Sequence, residues 1–252
     1  MAGHSKWANI KRQKARIDAK KGKTFTQLSR AIIVNARNGA DPAGNFQLRT
    51  AIEKAKAAGI PNDNIEKAIA KGSGSYDSGN NYEYIRYEGY GVGGVAILVE
   101  VLTDNRNRSA ASLRLAFSKN GGNLGETGCV GWMFSQKGVC ILEGDFSEDV
   151  LLEVCIETDA DNYEIIDDED SPGAEIFTSV ENLENLSLFL KNKGFNVIES
   201  ALRWLPDNTL EITDLEQGRS LFKLIDTLES LDDVQSVTSN LTISDDLTSL
   251  IM

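Results

Sequence analysis

Gly72-Ser-Gly-Ser-Tyr-Asp-Ser-Gly-Asn-Asn81 has the composition of a linker, and the apolar residues on its two sides keep different periods. On the N-terminal side the period is helical. Thr24 with Gln27 three residues later reads as a capping box, and Phe25, Leu28, Ile32 and Ala36 then share one face until Gly39 stops the run. Leu48, Ile52, Ala55 and Ala58 form a second stripe ending at Gly59. Asp63 and Glu66 open a third, which carries Ile65, Ala68 and Ile69 to Gly72. Residues 24–75 are therefore predicted to be a three-helix domain.

Beyond the linker the apolar residues alternate. Tyr82–Tyr90 and Val95–Thr103 read as a hairpin around Gly91–Gly94, followed by a helix from Arg106 to Lys119 that Gly121-Gly122 ends, and by a short strand over Val130–Phe134. From Val139 the order is strand (139–143), helix (147–157), strands (161–167 and 174–179), helix (181–193) and strand (196–204), the βαββαβ pattern of a ferredoxin-like domain over residues 135–205. The last helix (214–230) and strand (234–240) have no sheet of their own. They are predicted to return to the middle domain, made of residues 82–134 plus 206–245. The expected fold class is α+β in three domains: a helical bundle followed by two α/β-sandwich domains of ferredoxin-like type, the middle one discontinuous.

The formal charge of −12 over 252 residues conceals a strong asymmetry. Residues 1–72 hold 15 Lys/Arg against 5 Asp/Glu, a balance of +10, which leaves −22 on the remainder. A basic arm on an acidic body is a pattern of nucleic-acid binding. Residues 1–23 form that arm: eight Lys/Arg face the single acid Asp18, and only Trp7, Ile10 and Ile17 are sizeable apolar groups, too few for a firm core. Lys6, Lys11, Arg12, Lys14, Arg16, Lys20, Lys21 and Lys23 of the arm, with Arg30, Arg37, Arg49, Lys54 and Lys56 of the helical domain, are the expected phosphate contacts. Such contacts bind by releasing condensed counterions, with steep salt dependence. Trp7 offers a stacking face, worth roughly 1–3 kcal/mol on an unpaired base. The competing reading is a solvated charge run with Trp7 packed on the helices.

A second candidate contact is Thr103-Asp-Asn-Arg-Asn-Arg-Ser109, where a buried strand hands over to a helix. Free amides and the helix dipole there favour an anion beside Arg106 and Arg108. Alternatively Asp104 or Asn105 caps the helix while the arginines pair with acids of the body. The second and third helices, joined by Gly59-Ile60-Pro61, have the outline of a helix-turn-helix, but the third brings only Lys67 and Lys71, and plain packing is the preferred reading. Gly89–Gly94 precedes a strand instead of opening a helix, which makes it a hairpin turn and not a dinucleotide loop. Gly121–Gly125 is likewise read as a loop.

Catalysis lacks material. His4 is the single histidine and lies in the arm, so no triad or multi-histidine metal site can be assembled; no enzyme activity, cofactor or metal is expected. Cys129, Cys140 and Cys155 read as buried reduced thiols. The acidic run from Glu157 to Asp170 lacks the glycine and closing Glu of a calcium loop, and a solvated edge strand and turn account for it. Apolar runs such as Val95–Val99 are far too short for a membrane, and no secretory signal is legible, so a cytoplasmic monomer is expected, with DNA or ribosomal RNA, the ribosome included, as its partner.

The chain also resembles the YebC family. The likeness rests on Met1-Ala-Gly-His-Ser-Lys-Trp7, Lys21-Gly-Lys-Thr-Phe-Thr-Gln-Leu-Ser-Arg30, Ala51–Lys56, Ile60–Ile69, Tyr87-Glu-Gly-Tyr-Gly91, Leu102-Thr-Asp-Asn-Arg-Asn-Arg108 and Gly121-Gly-Asn-Leu-Gly125. It spans essentially the whole chain. The resemblance implies three domains, the first helical, and a role in gene expression. Members are described either as DNA-binding transcriptional regulators or as ribosome-associated factors that ease translation of difficult stretches such as consecutive prolines. Cys129-Val-Gly-Trp132 departs from the usual residues of the family and reads as core variation.

Overall fold

The structure, a computed structural model, describes residues 21–74, 82–167 and 171–243. In chain order the elements are α1 (Lys21–Ala36), α2 (Phe46–Ala57), α3 (Asn62–Gly72), β1 (Glu83–Tyr90), β2 (Ala96–Thr103), α4 (Arg106–Lys119), β3 (Asn123–Leu124), β4 (Phe134–Glu143), α5 (Glu148–Thr158), β5 (Asn162–Ile166), β6 (Gly173–Thr178), α6 (Leu183–Asn192), β7 (Val197–Pro206), β8 (Leu210–Glu211), α7 (Leu215–Glu229), β9 (Val234–Ser239) and β10 (Leu241–Thr242). The chain divides into two compact units. Among the described residues, one is 134–207 and the other combines those before Phe134 with 208–243.

In the larger unit, α1, α2 and α3 close around Ile32, Leu48, Ala55 and Ile65. Asn45 links the first two helices. Its Oδ1 accepts from Leu48 N and caps α2, while its amide donates to the carbonyls of Asn35 and Gly39 at 2.8 Å each. Gly72, read from the sequence as the start of a linker, ends α3 against α1: a Cβ there would collide with the Ile33 carbonyl and come within 2.7 Å of the Ala36 Cβ. Only glycine lets the two helices approach so closely. The predicted capping box is displaced. Helix α1 is already formed at Lys21, so Thr24 and Gln27 lie inside it; lysines are good helix formers and carry the helix past Thr24.

The same unit holds a four-stranded antiparallel sheet in the order β3-β1-β2-β9. Strand β2 is buried along almost its whole length, and Ile97, Val99 and Val101 pack with Leu113 and Phe117 of α4 and with Leu221, Leu224 and Leu228 of α7. The edge strand β9 pairs with β2, Val99 lying opposite Val237, and α7 packs on the same sheet. Asn240 secures it: its side chain accepts from Ala96 N at 2.8 Å, and Leu241 then pairs with Leu210 in a small parallel ladder.

In the smaller unit the sheet order is β5-β6-β4-β7, antiparallel throughout, as the βαββαβ reading requires. Helices α5 and α6 cover it through Leu151, Val154, Leu186 and Leu190. Both sheets place their first strand, β1 or β4, in the interior, but its neighbours differ: β1 lies between the third and second strands of its sheet, β4 between the third and fourth of its own, and the connections also differ in the larger unit. There the elements run ββαβ and later αβ, a rearranged version of the same layout.

The strand predicted over Val130–Phe134 is absent. Gly131–Met133 is a 3-10 turn, and Phe134 opens β4. Glu88 imposes the turn: its carboxylate, only 1% exposed, accepts from the amides of Gly128 (3.0 Å), Val130 (2.8 Å) and Gly131 (2.6 Å). Burial pushes its pKa up, but the three amides outweigh that and hold it below its ordinary value. Tyr90 Oη and Trp132 Nε1 both donate to the Cys129 carbonyl. Val130 is fully buried whereas Trp132 is 71% exposed, so Trp132 is not the core residue the sequence suggested. Cys140 and Cys155 are buried and Cys129 half-buried, all three free; burial pushes the Cys140 thiol up to about 11, which keeps it inert.

Glu88→Gln leaves one acceptor for three amides and is expected to cost roughly 1–3 kcal/mol at neutral pH. Because the folded pKa is depressed, the stabilisation by the carboxylate is complete above the ordinary Glu value and is lost as pH falls through the folded one. Urea unfolding of both proteins from pH 7 to pH 3 should therefore show the gap between them narrowing on acidification.

Candidate nucleic-acid interface

Of the expected contacts, Lys6, Trp7, Lys11, Arg12, Lys14, Arg16 and Lys20 lie outside the described residues, and Lys21 and Lys23 stand in the first turns of α1. The remaining ones divide into anchored and exposed groups. Arg49 is anchored: it donates to the carbonyls of Pro42 (3.0 Å) and Ala43 (3.3 Å), with its guanidinium 5.4 Å from the Phe46 ring centre. Arg37 is exposed yet donates to the Tyr82 carbonyl at 2.8 Å, tying the end of α1 to the start of the sheet. Lys54 and Lys56 occupy the last turn of α2, where cations complement the helix dipole.

Arg30 and Arg108 are brought together, on a carboxylate. Arg30, its side chain 16% exposed, donates to Asp233 Oδ1 at 2.9 Å and to the Asp232 carbonyl at 3.1 Å. Arg108 reaches Asp233 Oδ2 at 2.9 Å and Asp104 Oδ1 at 2.7 Å. The hydroxyls of Ser109 (2.7 Å) and Thr103 (3.1 Å) also donate to Asp233. Burial raises the Asp233 pKa, but Ser109, Arg108 and Thr103 outweigh it and hold the group below the usual carboxylate value; in turn Asp233 and Asp104 raise that of Arg108. Beside these contacts, Gln27 of α1 donates its amide to the Val234 carbonyl. Helix α1, the start of α4 and the entry to β9 thus meet at one point.

Asn105 caps α4, its side chain accepting from Arg108 N at 3.1 Å, and Arg108 pairs with acids as the second reading held. Arg106 is exposed, with its carbonyl accepting from Tyr87 Oη at 3.2 Å. No local signal marks Asp233. Its partners stand more than a hundred positions away, and Leu231-Asp-Asp-Val234 looks like any polar strand entry. Helix α3 exposes Asp63, Asn64 and Glu66 beside Lys67, a mixed face and not the basic one that a recognition helix presents. Asp161 and Glu157 of the acidic run pair with Lys137 and Lys193, and among the described residues no group of three or more His, Cys, Asp or Glu could hold a metal ion. Among them too, no helix is long and apolar enough to cross a membrane.

Comparison with known proteins gives concordant matches along the chain. Residues 5–75 match the profile of the TACO1/YebC protein N-terminal domain, and residues 82–241 that of the TACO1/YebC second and third domain. A "probable transcriptional regulatory protein" of Gloeothece citriformis is 71% identical over 252 residues, covering 99% of both chains. Another of that description from Microcystis aeruginosa is 70% identical over 249 residues, covering 98% of both. Among solved structures, a conserved hypothetical protein of Aquifex aeolicus superposes with a TM-score of 0.82 at 41% identity, over 92% of this chain and 94% of that one.

Asp233→Ala leaves the buried end of Arg30 without its counter-charge and is expected to cost about 3–5 kcal/mol. A double-mutant cycle in urea with Arg30→Met and Asp233→Asn should return a coupling of about 1.5–3 kcal/mol. The Arg108–Asp104 pair, with the arginine side chain 50% exposed, should give less than about 1 kcal/mol.

Proposed function

The chain belongs to the TACO1/YebC family, and on that premise we propose that it is a nucleic-acid-binding regulator of gene expression in the cytoplasm, a DNA-binding transcriptional regulator of the YebC type. The observation that carries this reading is the charge polarity, +10 on residues 1–72 against −22 on the rest, which presents the N-terminal part to a phosphate surface. The arm supplies most of that charge. Lys56 and Arg106, both exposed, supplement it, whereas Arg30, Arg37, Arg49 and Arg108 are engaged within the fold. The relatives' names point the same way, and a binding and regulatory role calls for no catalytic set.

A second reading, a ribosome-associated translation factor contacting ribosomal or transfer RNA, is favoured by the mixed charge of α3. With no basic recognition helix among the described residues, phosphate contact by the arm and readout of unpaired bases fit structured RNA at least as well as duplex DNA. A reading of another class, an adaptor whose acidic body docks a basic protein, makes the arm dispensable for nucleic acid.

Replacing Lys11, Arg12, Lys14 and Arg16 with Ala is expected to weaken binding to every nucleic acid tested. It should also flatten the dependence of log K on log salt by about 3 to 4 for duplex. An unchanged slope overturns the electrostatic reading and leaves the adaptor. A cognate promoter bound far more tightly than random duplex at physiological salt selects the DNA version. Comigration with ribosomes that is lost on deleting residues 1–23 selects the translation version.

A further inference from the structure

Between α1, the turn after α2 and the residue that precedes β1 lies an open cavity of about 310 Å³, near the lower end of the size range of small-ligand sites. Phe25, Ser29 and Ile33 recur every fourth residue along α1 and so form one ridge of its wall. Ile33 and Ile60, both almost fully buried, make an apolar floor. Phe25 and Tyr82 are half-buried and bring two aromatic side chains to the lining, while Asn64, in the first turn of α3, contributes an amide that can both donate and accept.

Two features fix what this cavity suits. Tyr82 is held from both ends, its carbonyl by Arg37 and its ring by the Arg30 guanidinium 5.5 Å from the ring centre, so the aromatic wall is preorganised. Arg30 itself is neutralised by Asp233, so the cavity has no spare positive charge for a phosphate. What it offers is an apolar floor, aromatic rings and one amide, the set that takes a flat heteroaromatic ring with a hydrogen-bonding edge. Lys21 and Lys23 precede Phe25 on the same helix, which places basic residues of the arm next to the cavity along the chain.

We propose that this cavity is a subsite for one unpaired nucleobase of a single-stranded segment, read by Phe25, Tyr82 and Asn64 while the arm holds the flanking phosphates. The proposal rests on the nucleic-acid reading above and adds to it a ligand class, an unstacked base.

The test is fluorescence anisotropy of the full-length protein with a single-stranded 12-mer of thymidine and with an abasic strand of equal length, at one salt concentration. The base-bearing strand is expected to bind about 5- to 150-fold more tightly, the range for one stacked base. Tyr82→Leu and Phe25→Leu keep apolar bulk but remove the rings; each should erase most of that preference and leave abasic binding unchanged. Tyr82→Phe should retain it, which separates loss of a ring from loss of fold. Equal wild-type affinity for the two strands overturns the base subsite while the electrostatic reading stands. A preference that survives both leucine variants and disappears in Trp7→Ala places the stacking in the arm and overturns the subsite as well. Failure to bind either strand also overturns the subsite, and the nucleic-acid reading then rests on the duplex salt-slope experiment above, which fails or stands independently.

Discussion

One carboxylate holds the larger unit together. Asp233 receives guanidinium groups from α1 and α4 and hydroxyls from the end of β2 and from α4, all at a position only 9% exposed. A buried carboxylate with fewer partners would be strongly unfavourable, and the two arginines with no acid between them would repel each other. Together the groups tie α1 to the start of α4 and to the entry of β9. Glu88 acts similarly on a smaller scale, with backbone amides in place of arginines, and shapes the chain between β3 and β4.

Local signals carried most of the architecture. The helical stripes of α1 to α3, the Arg106–Lys119 helix and the βαββαβ order could all be read because each depends on residues a few positions apart. The errors share a cause. Val130–Phe134 alternates like a strand, yet a carboxylate 42 positions earlier captures its amides and turns it. Gly72 is legible as the end of the third helix, but not as the residue whose missing side chain allows the contact of α3 with α1. Trp132 looks like core and stands in solvent. In each case the deciding partner is remote in sequence.

The candidate interface was legible in part, for the same reason. Charge asymmetry is a property of composition and needs no partner to be seen. Whether a given arginine is available is a property of contacts, and Arg30, Arg49 and Arg108 proved to be engaged by carboxylates or carbonyls that composition cannot assign. The aromatic cavity was invisible for the opposite reason. Phe25 reads as an ordinary core position of a helix, and Tyr82 as the first residue of a strand; only the folded chain sets them around one space.

The sheet of the larger unit takes its outer strand β9 from near the end of the chain, after the whole smaller unit has been made. During synthesis, α1 to α3 and the β4–β7 unit can each close from contiguous residues, whereas β2 must wait, one edge bare, for Val234–Ser239. Asp233 emerges at that same moment. Until then Arg30 lacks this counter-charge and Arg108 has only Asp104, so the nascent chain is more basic at that corner than the finished protein. The carboxylate that ties α1 to α4 thus arrives together with the strand that closes the edge of β2, and a truncation only slightly upstream of it forfeits both.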